Sequence, residues 1–128
     1  MSHADLIEKL EALAGPDGTV NVDIHRACGQ TFVMEYWSES DTTPRENLSM
    51  VPRYTASLDA AVALVERVLP SWEWQVGDDA HFGKYGAVYQ SLSEGGAGLS
   101  EEDMVSAATP AIALLIATLK ALQENSNG

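Results

Sequence analysis

Arg53-Tyr54-Thr55-Ala56-Ser57-Leu58-Asp59-Ala60-Ala61 and, far along the chain, Ala108-Thr109-Pro110-Ala111-Ile112-Ala113-Leu114-Leu115-Ile116 decide the fold. Each reads as a helix start that leads into an apolar face. In the first, Thr55 or Ser57 supplies the capping oxygen. Leu58, Ala61, Val62, Leu64, Val65, Val68 and Leu69 then form a broad apolar face until Pro70 ends the run. In the second, Thr109 is the cap and Pro110 takes the first helical position, where a missing N–H costs nothing. From Ala111 to Leu122 this helix is apolar nearly all round, as a helix central to a core should be.

Working outward, residues 3–14 read as another helix, with Leu6, Ile7, Leu10, Leu13 and Ala14 on one face, and Ser2 and Asp5 suited to capping. Gly15-Pro16-Asp17-Gly18 breaks the chain. Thr19 to Cys28 fits both periods: Val20, Val22 and Ile24 alternate, yet Val20, Ile24, Ala27 and Cys28 also suit a helix stopped by Gly29. Of the two, a short helix is favoured. Gln30 to Trp37 is β-branched and aromatic, which predicts a strand, and Ser38 to Pro52 predicts a long polar surface loop.

Trp72-Glu73-Trp74-Gln75-Val76 alternates as a half-buried strand, with both tryptophans on one side as expected core anchors. Gly77 to Gly83 has turn chemistry, and Tyr85 to Leu92 returns as the second strand of a hairpin. Ser100 before Glu101, Glu102 and Asp103 marks a further helix start, with acids at the positive end of the dipole. A disordered tail is expected from about residue 124. The predicted architecture is one α+β domain over residues 1–128: a small antiparallel sheet with helices packed on its faces, an α-β-α sandwich.

Charge is the strongest compositional signal. Nineteen acidic against seven basic residues give a formal net charge of -12. Such a chain repels nucleic acid and anionic membrane and is drawn to a basic protein surface. The longest apolar run, Ala107 to Leu119, falls short of the roughly 20 residues that cross a bilayer. With one cysteine, Cys28, and no secretory leader pattern after Met1, a bacterial cytoplasm is the expected setting.

The chain resembles a family of small phage proteins with an α-β-α sandwich domain. The matching pieces are Glu11-Ala12-Leu13-Ala14-Gly15-Pro16-Asp17 with Ile24, Tyr54-Thr55-Ala56-Ser57-Leu58-Asp59-Ala60-Ala61, Trp72-Glu73-Trp74 and Ala108-Thr109-Pro110-Ala111-Ile112-Ala113-Leu114. They span about two-thirds of the chain, whereas Ser38–Met50 and His81–Ser100 follow no pattern of the family. The resemblance implies a phage or prophage origin and a small mixed fold, and it brings no catalytic set with it.

Candidate chemistry is sparse. His25 and Cys28 with Asp23 have a metal-like spacing but lack the second pair that a structural zinc site needs. Asp78, Asp79 and His81 compose an ordinary turn as readily as a cation site. Gly95-Gly96-Ala97-Gly98 precedes acids that would repel phosphate, and Trp37, Trp72, Trp74, Tyr85 and Tyr89 lack the cations a nucleic-acid platform requires. No catalytic, cofactor or metal residue is assigned.

The expectation is a non-enzymatic protein that binds a host complex with a basic surface, most concretely an inhibitor of a CRISPR-type defence effector. Its partner-binding residues are Glu94, Glu101, Glu102 and Asp103, with Glu39, Asp41 and Glu46 on the long loop. An alternative is an assembly protein that self-associates as a symmetric homodimer through the apolar helix or the tryptophan hairpin. A third is a binder of small anions, which would need Arg26, Arg45, Arg53, Arg67 and Lys84 to gather around one pocket.

Overall fold

The computed structural model describes residues 3–36, 43–81, 83–90, 98–99 and 103–127. Helix α1 is His3–Glu11, α2 Gly18–Ala27, α3 Leu58–Val68 and α4 Pro110–Asn127; the strands are β1 Met34–Glu35, β2 Arg45–Glu46, β3 Trp72–Asp79, β4 Gly83–Gln90 and β5 Val105–Ser106. Strands β3, β4 and β5 form one antiparallel sheet in that order, and β1 and β2 form a separate two-stranded ribbon. The fold is α+β.

Local signals explain most of these elements. In α2, Asp17 is the cap, its carboxylate accepting from the Val20 N–H at 3.0 Å. The helix ends in a Schellman closure. Gly29, at φ 70°, donates to the Arg26 carbonyl, and Gln30 donates to that of His25. The ambiguous segment is thus helical, since both ends of the helix are closed. In α3, Ser57 rather than Thr55 is the cap, accepting from Ala60 N–H at 3.2 Å. In α4, Thr109 Oγ1 accepts from Ile112 N–H at 3.1 Å, the arrangement its Thr-Pro start predicts.

Helix α4 lies at the centre, touching β3, β4 and β5 as well as α1 and α3. Residues Ala111 to Leu119 are all buried. Even Thr118 fits, because its hydroxyl donates to the Leu114 carbonyl at 2.7 Å. Leu6, Leu10, Ile24, Leu64 and Val65 from the other helices, with Tyr54 from the segment before α3, close the core. The sheet approaches α4 at Gly86. A methyl group there would run into the backbone of Ala113 and Leu114, so only glycine lets strand and helix meet this closely.

Five expectations need correction. First, Gln30–Trp37 is mostly not a strand. Among the described residues only Met34 and Glu35 pair, with Glu46 and Arg45, and both are exposed, with no third strand described beside the ribbon. Second, Gly77, Asp78 and Asp79 belong to β3, and the hairpin turns between Asp79 and Gly83. Gly77 is there for packing: the Tyr85 ring lies across it, and the Tyr85 hydroxyl accepts from Gln75 Nε2 at 2.9 Å.

Third, Val105–Ser106 is the edge strand β5, so the expected helix does not run on from Asp103. Fourth, α4 continues to Asn127 where a disordered tail was expected. Fifth, Trp72 packs against the core but Trp74, on edge strand β3, stays 37% exposed, so only one of the two is an anchor.

Candidate functional site

Two places in the molecule concentrate polar side chains, and they differ in kind. One is a buried knot where α2 meets the segment entering α3. Thr55 Oγ1 accepts from the Asp17 N–H at 2.8 Å, and Asn21 Oδ1 accepts from both the N–H and the hydroxyl of Thr55 at 2.8 Å. Beside them His25 Nε2 lies 2.7 Å from the Thr31 carbonyl, which can only accept, so the ring proton sits on Nε2. Nδ1 then accepts the Tyr54 hydroxyl at 2.6 Å. Phe32 meets the His25 ring edge-on, and the Arg26 guanidinium stacks over Phe32 at 4.6 Å.

With both ring nitrogens engaged, His25 has none left for a metal, whatever its spacing from Cys28. Burial pushes the Cys28 thiol up to about 11, which makes it a poor nucleophile. Burial also raises Tyr54, with the Arg67 guanidinium opposing the shift. Tyr54 is only 1% exposed, so no reactant reaches its hydroxyl. The knot ties α2 to α3 and the chain after it. Its role is structural.

The arginines gather at this end. Arg26 makes a paired contact with Glu46 at 2.8 and 3.1 Å, and Arg67 donates to Gln30 at 3.2 Å. Arg45 is on the ribbon and Arg53 adjoins Tyr54. Arg26 and Arg67 are spent on internal contacts rather than turned to a common ligand. Glu46, expected on a partner-facing loop, is likewise held by Arg26, which also lowers its pKa.

The second place is an open cavity of about 420 Å³ between the sheet and the far half of α4. Its apolar wall includes Trp72, Val88, Met104, Val105, Ala117 and Ala121. On α4, Ala117, Lys120, Ala121 and Glu124 follow helical i, i+3, i+4, i+7 spacing and present one stripe to it. The two alanines leave the space that larger side chains such as Leu114 and Leu119 fill elsewhere along the helix. The lining also carries Glu11, Asp103 and Glu124 and one cation, Lys120. Of the expected partner-binding residues, Asp103 lies on this cavity; Glu39, Asp41, Glu94, Glu101 and Glu102 fall outside the described residues.

A third feature went unforeseen. Val33, Met34, Tyr36, Leu48 and Met50, on or beside the ribbon, are each between 47% and 60% exposed. The sequence does carry their signal, for these apolar residues occupy a stretch with no long periodic partner, but β-propensity drew the first three into an expected core strand. Among the described residues no helix is long and apolar enough to cross a membrane. Comparison with protein-family models, curated proteins and solved structures found no match to this chain.

Proposed function

We propose that this chain is a non-enzymatic binding protein whose acidic cavity end docks on a basic surface of a nucleic-acid-handling host complex. The segregation of charge carries this reading. All four arginines lie on or near the elements around the polar knot and the ribbon, Arg26 and Arg67 among them held in internal contacts, while the cavity lining includes Glu11, Asp103 and Glu124 with Lys120 as its one cation. Glu101 and Glu102 immediately precede Asp103 in the chain. An excess of one sign around a concave surface speeds association with a partner of the other sign and makes it sensitive to salt.

In its most concrete form the partner is a bacterial defence effector of the CRISPR type, in keeping with the resemblance to small phage proteins. Machines of this kind expose basic channels for nucleic acid, which an acidic body can occupy. The test is retention of such effectors by the tagged protein at low salt. Replacing Glu101, Glu102 and Asp103 together by lysine should abolish retention while the thermal melt stays cooperative. Retention that survives both this change and high salt would remove the charge-based reading.

The exposed apolar ribbon supports a second reading, self-association into a symmetric dimer through Met34, Tyr36, Leu48 and Met50. Of the two surfaces that the sequence offers for assembly, helix α4 is consumed by the core, while the tryptophan hairpin leaves Trp74 37% exposed. Sedimentation velocity distinguishes the cases, because a strict monomer at high concentration eliminates the dimer.

A further inference from the structure

We infer that the cavity between the sheet and α4 receives a basic segment of the partner, an arginine or lysine flanked by apolar residues. This rests on the docking reading above and says where on the molecule recognition occurs. A long basic side chain has an aliphatic stem that favours apolar contact and a charged head that needs acids or water. The cavity lining offers both: Trp72, Val88, Val105 and the two alanines of α4 beside Glu11, Asp103 and Glu124.

At about 420 Å³ the space falls within the range of ligand-binding clefts and exceeds what one side chain fills, so it suits a short segment. The lining holds three acidic residues to one basic one, a balance that disfavours an anionic ligand.

The probe is a blocked tetrapeptide of alternating leucine and arginine, with its citrulline analogue as the uncharged control. It is titrated into the full chain and followed by amide shifts in NMR spectra. Shifts should appear at Met104–Ser106 and along Ala117–Glu124, weaken with salt and vanish with citrulline. Ala121→Phe, which fills the cavity, should reduce affinity at least about tenfold.

Lys120→Gln removes the one cation of the lining and should tighten binding by roughly two- to fourfold. This exposed change leaves the core alone, so it decides the matter if Ala121→Phe fails to fold. Shifts located elsewhere, or affinity indifferent to both variants, overturn the cavity as the recognition site. Failure of the peptide to bind while the intact partner is still retained in a salt-sensitive way has the same consequence and leaves the docking reading standing. If partner retention is also insensitive to salt, both fall together.

Discussion

Helix α4 and the β1–β2 ribbon are both rich in apolar side chains, yet the molecule treats them oppositely. Ala111 to Leu119 are all buried, whereas Val33, Met34, Tyr36, Leu48 and Met50 stand about half exposed. Propensity does not separate the two regions. What separates them is enclosure: α4 has the sheet along one side and α1 and α3 along others, while among the described residues the ribbon's two-residue strands pair only with each other. A ribbon this short cannot bury a face by itself. Residues left exposed in that way cost little to the fold, which leaves them available for contacts outside it.

The contrast can be broken most forcefully from within α4. Leu114→Ala should cost about 2–5 kcal/mol in denaturant unfolding, since it opens a void in the centre of the core. A loss near zero would mean that α4 is not enclosed as described. Gly86→Ala should follow, at about 1–3 kcal/mol, because the added methyl has to displace the α4 backbone at Leu114. Its mirror test, Gly15→Ala, meets open space and should escape that penalty.

Tyr54→Phe probes the knot rather than the core. It removes the donor to His25 Nδ1 in a buried setting and should destabilise by about 1–3 kcal/mol, measured the same way. Cys28 gives a pH test of the same region. Its folded thiol is raised from 9.0 to about 11, so the unfolded chain ionises first as pH rises. Stability from this group is therefore complete below pH 9.0 and lost between pH 9.0 and about 11. The fall should be at most about 3 kcal/mol, and Cys28→Ala should remove that part of the alkaline slope.

Smallest for the fold is the ribbon. Met34→Ser combined with Met50→Ser should shift unfolding by no more than about 0.5 kcal/mol, yet it should shift the sedimentation of any dimer to that of the monomer. A large loss of stability would show that the ribbon belongs to the core after all, and the contrast with α4 would disappear.

Periodicity and end signals made the helices legible before any coordinates. The Thr109-Pro110 start, the Ser57 cap and the Pro70 stop are local chemistry, carried by residues within one turn of the backbone they satisfy. Thr55 shows where such reasoning stops. It offers a plausible cap from sequence, but in the structure its hydroxyl and N–H serve Asp17 and Asn21, 38 and 34 residues away. Gly77 stops it too, for a glycine beside two aspartates looks like a turn until the Tyr85 ring is found lying across it.

By itself, then, the sequence determined the α+β class, the central place of the Ala111–Leu122 helix and a charge of -12. These follow from short-range spacing and from composition, which survive without knowledge of neighbours. Tertiary structure alone decided that Asp103 meets Glu11 and Glu124 around one cavity, that Glu46 is taken by Arg26, and that the ribbon stays bare. The reason is physical: whether a charge is free or an apolar face is covered depends on which distant segment packs beside it, and no local pattern encodes that.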